Sequence, residues 1–242
     1  MNVAFVFAHQ DDEIAFVSRI KLEVARGNHV TCVCLTDGAS KVPACTRDDE
    51  SRRLLARLGV TDFRVAPAEQ RIADGSLPDR LGDALAFLES AASDAGELVT
   101  LAWEGGHQDH DAAHLVAAVF ARRRGIACLE MPLYNGFGLD APFFRVNYPV
   151  DDGWLERPLA RREYLENVLL SRFYPSQRRT WLALLPLYLI GKPRELIRAA
   201  DLRRAFAPPH PLPLFYERRF RYPYERFAAQ AAEFLRRQVP PG

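Results

Sequence analysis

The chain has 242 residues, of which 48% are hydrophobic and 26% charged, and its formal net charge is +1. This length suits one well-buried domain, and the near-zero charge gives no general attraction for nucleic acid or for an anionic membrane surface. The longest apolar stretch, residues 181–190, contains Pro186 and is shorter than the roughly 20 residues that span a bilayer, so we expect no stable membrane insertion. We expect a buried helix there, in preference to a membrane-contacting or substrate-covering surface.

The first element is an apolar run, residues 3–7, that predicts a buried strand. It leads into the turn Ala8-His9-Gln10-Asp11-Asp12-Glu13, after which apolar positions at helical spacing continue to a stop at Gly27. In an open α/β sheet such a turn lies at the carboxyl ends of the strands, where ligands bind. A His and two Asp side chains there indicate half of a metal site that needs another ligand.

Strands and helices then alternate along the chain. A second strand over residues 29–36 ends at Asp37-Gly38, and further strands are predicted at 63–66, 98–103 and 126–129. Intervening helices carry apolar stripes at Leu54, Leu55 and Leu58, at Leu81, Leu85 and Leu88, and at Leu115, Val116, Val119 and Phe120. This order predicts an α/β fold with a Rossmann-like, mostly parallel sheet flanked by helices and joined by right-handed crossovers.

The alternation stops at Pro132, where the density of Pro and aromatic residues rises. We expect a hairpin near 133–150, helices near 159–172, 176–190 and 223–237, and an extended Pro-rich segment over 207–213. The C-terminal half is expected to pack on the sheet and to wall the pocket. We therefore predict one domain, 1–242, with a core over 1–131 and a substrate-side extension over 132–242.

The four cysteines include no CxxC pair, and Cys32 and Cys34 lie two apart in a predicted strand. They face the same side of that strand and are poorly placed to form a disulfide. We expect reduced, mostly buried thiols. No basic region or long apolar segment precedes Asp11, so we expect no secretory signal and a cytoplasmic protein.

A second polar cluster, His107-Gln108-Asp109-His110, follows the fourth strand and begins a helix. Because parallel strands end at one edge of the sheet, we expect it to face the first cluster. His9, Asp12 and His110 can then supply two imidazoles and one carboxylate, which leaves a zinc position open for water. This set of nitrogen and oxygen ligands also accepts other divalent ions.

The remaining polar residues of the two clusters suit hydrolysis. Asp11 is placed to take a proton from the water, and His107 could stabilise an oxyanion as an imidazolium or protonate the leaving nitrogen. Asp109 could orient one of the histidines. His114 lies four residues after His110 and could be another ligand, although a buried helix histidine packed on the sheet or bonded to an acid is favoured.

The first cluster resembles the AHPDDE motif of the LmbE/PIG-L family of zinc-dependent N-acetylglucosamine deacetylases, and the second resembles that family's HPDH motif. Gln10 and Gln108 both stand in the place of Pro. Weaker similarities lie at Thr36-Asp37-Gly38, at Arg47-x-x-Glu50 before Leu58-Gly59-Val60, and at Ser176-Gln177. The likeness covers about residues 1–131, plus the patch near 174–177.

The resemblance implies a role for each matched position. His9, Asp12 and His110 would bind Zn²⁺ and Asp11 would be the general base. His107 would be the transition-state stabiliser or acid, with Asp109 as its orienting partner. Arg47 is similar to the family's substrate-binding arginine, and Tyr174 stands where a substrate-contacting His is usual. From the residues alone, Arg47 and Glu50 could equally be an exposed pair at a helix start.

We therefore predict a metal-dependent hydrolase that removes an N-acyl group, most simply N-acetyl, from a small-molecule amino sugar or glycoconjugate by attack of a zinc-bound water. The alternatives are an amidase for a non-sugar N-acyl substrate and a non-catalytic metal-binding module of the same fold. A dinucleotide-dependent oxidoreductase is disfavoured because the first turn lacks GxGxxG and its carboxylates would repel a pyrophosphate.

Overall fold

A computed structural model describes residues 1–39, 42–140 and 143–238 of the chain. The strands are β1 (Asn2–Phe7), β2 (His29–Cys34), β3 (Asp62–Val65), β4 (Glu97–Leu101), β5 (Ala127–Met131), β6 (Tyr134–Asn135), β7 (Arg145–Val146), β8 (Leu155–Pro158) and β9 (Arg194–Ala199). Seven of them form one sheet in the order β3-β2-β1-β4-β5-β9-β8, and β6 and β7 form a separate hairpin. The pairs from β3 to β5 are parallel, which confirms the predicted mostly parallel α/β sheet.

The helices flank this sheet. They are α1 (Glu13–Ala25), α2 (Ala44–Arg57), α3 (Leu81–Ala91), α4 (Gln108–Arg124), α5 (Arg161–Leu169), α6 (Arg178–Ile190), α7 (Phe215–Phe220) and α8 (Tyr224–Gln238). Short 3₁₀ turns lie at Ala68–Gln70, Leu77–Arg80, Leu170–Phe173, Pro175–Gln177 and Leu202–Phe206.

Strand β1 lies in the interior of the sheet, between β2 and β4, and its apolar run explains that position. Residues 3–7 are at most 1% exposed, because helices cover both faces of a mainly parallel sheet. Helix α1 packs there through Ile14, Phe16, Val17 and Ile20 and ends just before Gly27, whose φ of 75° suits glycine. Helix α4 is buried along residues 108–121, so the side chains of its first turn start from a rigid support.

The second half of the chain completes the sheet, whereas we expected it only to pack against the sheet. Strand β9 pairs antiparallel with β5, with Glu130 opposite Arg198, and β8 pairs antiparallel with β9. The sequence concealed β9 because Glu195 and Arg198 are charged yet buried. Each has a partner of opposite charge, Arg157 for Glu195 and Glu130 for Arg198, and a buried charge needs such a partner.

Helix α6 differs from the buried helix that its apolar sequence predicts. Trp181 and Tyr188 are buried, but Leu182 is 59% exposed and Ile190 is 82% exposed. One face of the helix lines a cavity while the other faces outward. Among the described helices, none combines the length and hydrophobicity needed to cross a membrane.

Candidate active site

The two polar clusters meet because β1 and β4 are neighbours in the sheet, with Val6 opposite Thr100. The turn after β1 and the loop after β4 therefore leave the sheet side by side. The ring centroid of His9 lies 4.8 Å from that of His107 and 5.3 Å from that of His110. The predicted convergence of the two motifs is thus present in the structure.

His9, Asp12 and His110 fit a divalent metal ion. One ligand atom from each lies within 4.8 Å of the others, and all three residues are buried. Asp12 Oδ1 is 3.3 Å from His110 Nε2, while Asp12 Oδ2 accepts the His9 backbone N–H at 2.8 Å. Burial opposes ionisation of Asp12, but His110 and His9 outweigh it and lower its pKa to about 2. Asp12 therefore carries a negative charge beside the two imidazoles.

Asp109 orients His9 in this structure, whereas the family resemblance implies His107 as its partner. Asp109 Oδ2 lies 3.0 Å from His9 Nε2, and its carboxylate also accepts the backbone N–H groups of Gly75 at 2.6 Å and Leu77 at 3.1 Å. A carboxylate behind a metal-binding histidine fixes the ring and its tautomer. His9, His107 and Asp109 also form a second group whose ligand atoms lie within 4.8 Å.

His107 caps the start of α4, and the cap sets its proton position. Its Nδ1 accepts the backbone N–H of Asp109 at 3.1 Å, so the neutral ring carries its proton on Nε2. Burial is the main cause that lowers the pKa of His107, to about 3. A neutral Nε2–H donor therefore fits this site better than the imidazolium that the sequence left open.

Asp11 lines the same pocket, and both of its carboxylate oxygens have a partner. Oδ1 accepts from Arg47 at 2.7 Å and Oδ2 accepts from Trp181 Nε1 at 3.2 Å. Its φ of 92° is unusual for a residue other than glycine. Burial raises the pKa of Asp11, and Arg47 partly offsets that rise.

Arg47 belongs to a buried network, which rules out the exposed pair that the sequence also allowed. Its side chain is 3% exposed and that of Glu50 is 1% exposed. The guanidinium donates to the carbonyl of Gln10 and to Ser176 Oγ. Ser176 is tied in turn to Glu50, whose Oε1 accepts the Ser176 backbone N–H at 2.9 Å. Arg47 thus lines the pocket while bracing the first motif against the patch near 174–177.

Tyr174 was predicted to contact the substrate, but it is not among the described residues that line the pocket. It lies behind the pocket instead. It is fully buried, and its hydroxyl donates to Glu13 Oε2 at 2.9 Å. The same Glu13 oxygen accepts the Asp11 backbone N–H at 2.7 Å. Tyr174 therefore supports the turn that carries Asp11.

His114 faces away from the site, into the core. Its Nδ1 is 3.0 Å from the carbonyl of Leu101 and 3.0 Å from Glu130 Oε2. The structure therefore matches the buried histidine bonded to an acid, and not a fourth ligand.

The cavity over the site measures about 420 Å³ and is lined by polar and apolar residues. Three of its wall residues were missed by sequence reasoning: Asp74, whose Oδ1 is 3.2 Å from His9 Nε2, Trp181 and Tyr134. The sequence Asp74-Gly75-Ser76 indicated only a polar turn, and the two aromatic residues carried no motif. The apolar part of the lining consists of Leu133, Tyr134, Phe144, Val146, Trp181, Ala183, Leu184, Tyr188, Phe215 and Phe220.

Comparison with known proteins agrees with this geometry. The PIG-L family model, described as GlcNAc-PI de-N-acetylase, matches residues 4–121, and this part of the chain is a PIG-L (LmbE-like) domain. No curated protein matches the sequence.

Solved structures show the same fold over most of the chain. A deacetylase of the teicoplanin biosynthesis pathway has a TM-score of 0.60 at 16% identity, covering 83% of this chain and 99% of its own. The N,N'-diacetylchitobiose deacetylase from Pyrococcus horikoshii has a TM-score of 0.57 at 16% identity, covering 84% and 85%. The A40926 pseudoaglycone deacetylase has a TM-score of 0.57 at 16% identity, covering 82% and 98%.

Proposed function

We propose that the protein is a Zn²⁺-dependent hydrolase that removes an N-acetyl group from an amino sugar or glycoconjugate. The observation that carries the proposal is a single pocket that holds the candidate ligands His9, Asp12 and His110 together with Asp11 and His107. The family description, GlcNAc-PI de-N-acetylase, and the names of the three structures compared above, each a deacetylase, support the reaction type.

His9, Asp12 and His110 would hold the ion. When bound, Zn²⁺ supplies a Lewis acid for the amide carbonyl and lowers the pKa of a water molecule. Asp11 accepts the proton of the attacking water, and Arg47 and Trp181 hold its two oxygens in place.

The same residues complete the reaction. His107 donates its Nε2–H to the carbonyl oxygen as negative charge develops there. The protonated Asp11 then returns its proton to the leaving nitrogen as the C–N bond breaks, which releases acetate and the free amine.

The pocket walls suit a sugar that carries an apolar group. Arg47, Gln177 and Thr180 offer hydrogen bonds, and aromatic rings such as Phe144 and Phe215 line the same cavity. The apolar part of the lining also keeps a second candidate open, an amidase for a non-sugar N-acyl substrate. A non-catalytic module has less support, because a bare binding site needs neither Asp11 nor His107. The four cysteines are free, and we place the protein in the cytoplasm on that basis.

The proposal is tested with Asp11→Asn, which keeps the size of the side chain but cannot take the proton. We expect unchanged zinc content and a loss of acetate release of about 10²- to 10⁴-fold, the range for a general base. Asp49→Asn is the matched control, since Asp49 is 69% exposed on α2. Retained turnover in Asp11→Asn would contradict the assignment of the base. A panel of N-acetylglucosamine, N,N'-diacetylchitobiose, aryl and alkyl N-acetylglucosaminides and N-acetyl amino acids separates the sugar deacetylase from the amidase.

A further inference from the structure

One ring nitrogen of His110 is left without a hydrogen bond. Nε2 faces Asp12, but Nδ1 is buried and has no partner among the residues that the structure describes. In metal sites the second nitrogen of a histidine ligand almost always donates to an acceptor that fixes the ring, as Asp109 does for His9. Something other than a hydrogen bond must therefore set the orientation of His110.

Tyr134 contacts the His110 ring edge-on. The two ring centroids are 5.2 Å apart and the ring planes cross at 71°, a T-shaped arrangement that is favourable for aromatic rings. His9 and His107 contact His110 from other directions, at 5.3 Å and 5.2 Å. Both belong to the site itself, so Tyr134 is the neighbouring ring that comes from a separate element, β6.

Glu104 fastens Tyr134 to the loop that begins α4. Its side chain is 1% exposed, and Oε1 accepts the backbone N–H groups of Leu133 at 2.7 Å and Tyr134 at 2.9 Å. Oε2 accepts from Asn135 Nδ2 at 3.0 Å. One carboxylate therefore holds three consecutive residues around Tyr134.

Gly106 allows the same close approach from the loop. A Cβ at this position would lie 1.9 Å from the carbonyl oxygen of Tyr134 and 3.1 Å from its ring. Any larger residue would push β6 away from the start of α4, and the Tyr134 ring would leave His110.

We infer that Tyr134 is a positioning residue for His110, and that Glu104 and Gly106 hold it in place. The ring contact does for His110 what the Asp109 carboxylate does for His9. The inference rests on the proposed function in one respect, the binding of Zn²⁺ by His110. It assigns a metal-organising role to three residues, Glu104, Gly106 and Tyr134, that stand outside both sequence motifs.

The test is a competition titration of apoprotein with Zn²⁺ and a chromophoric chelator, which measures zinc affinity without any substrate. Tyr134→Phe keeps the ring and should bind zinc as the wild type does. Tyr134→Leu removes the ring and should weaken zinc binding by about 10- to 100-fold, the usual effect of losing an outer partner of a ligand. Tyr148→Leu is the control, since the Tyr148 ring, which is 40% exposed, packs on Arg145 in the neighbouring strand β7.

Wild-type affinity in Tyr134→Leu would overturn the inference, and so would an equal loss in Tyr134→Phe. If Tyr134→Leu does not fold, Glu104→Gln decides. A Gln side chain has only one oxygen for the three donors, so Tyr134 should loosen and zinc affinity should fall. Unchanged affinity in Glu104→Gln would then refute the inference. Absence of zinc binding by the wild type would instead count against the proposed function.

Discussion

Replacing Arg47 by Met removes the positive charge that faces Asp11 while keeping an apolar side chain of similar length. The guanidinium lies 2.7 Å from Asp11 Oδ1, and the two side chains are 3% and 18% exposed. With charge centres about 4 Å apart and an effective dielectric constant of about 20, their attraction is about 4 kcal/mol. That energy corresponds to about 3 pKa units, and paired carboxylates typically shift by about 1–3.

The direction of the effect follows from the two influences on Asp11. Burial raises its pKa and Arg47 offsets part of that rise, so loss of Arg47 lets the pKa climb further. A general base must be unprotonated. The acid limb of kcat/KM should therefore move to higher pH by about 1–3 units, and activity should recover at pH values above the new limb.

The assay is the pH profile of kcat/KM for the wild type and for Arg47→Met, with zinc content measured in the same samples. Arg53→Met serves as the control, because Arg53 is exposed on the same helix, α2. An acid limb that stays in place at unchanged zinc content would refute the coupling to Asp11. A uniform loss across all pH values, with a raised KM, would assign Arg47 to substrate binding alone.

Two further perturbations probe the core and the ligand set. Glu130→Gln should destabilise the fold by about 1–3 kcal/mol in urea unfolding, because buried Arg198 would lose one of its two carboxylate partners and keep only Asp151. Burial raises the pKa of Glu130, but His114 and Arg198 outweigh it and hold that pKa below its ordinary value of about 4.3. The stabilisation by Glu130 is therefore present above that value and is lost as pH falls through the lower pKa of the folded state. A gap between wild type and variant that persists unchanged in acid would contradict this account. Zn²⁺ at about 100 times its Kd should stabilise the wild type by about 2.7 kcal/mol, seen as a higher Tm that EDTA reverses, and His110→Ala should lose that response.

The local patterns of the sequence predicted the parallel part of the sheet and the meeting of the two motifs. His9 and His110 stand 101 positions apart, yet each follows a strand, and β1 and β4 are adjacent. Strand-end placement therefore predicted, without knowledge of any distance, that these candidate ligands would meet. The apolar run of residues 3–7 was sufficient to predict a buried strand.

Features that depend on long-range pairing were not predictable. Strand β9 looks polar because Arg198 and Glu195 carry charges whose partners come from β5 and β8. The Asp109 carboxylate contacts His9 and not His107, and this choice depends on the path of the loop at Gly75. Tyr174 stands at the sequence position of a motif residue, but its hydroxyl is hydrogen-bonded to Glu13, so it lies behind the turn that carries Asp11.

The antiparallel return of β9 beside β5 allows the segment between the two strands to vary, and with it the range of substrates that the fold can bind. The chain leaves β5 after Met131 and returns beside it as β9 at Arg194, so residues 132–193 form an insertion that adds one strand of its own, β8, to the edge of the sheet. Doubling the length of such an insertion costs only about 0.6 kcal/mol in closure entropy. His9, Asp12 and His110 all lie outside it, whereas much of the apolar pocket wall lies within it. The insertion can therefore change in evolution, or be exchanged between relatives, to recognise other substrates. The replacement must keep an aromatic ring against His110, in the place of Tyr134, and a hydrogen-bond donor for Asp11, in the place of Trp181.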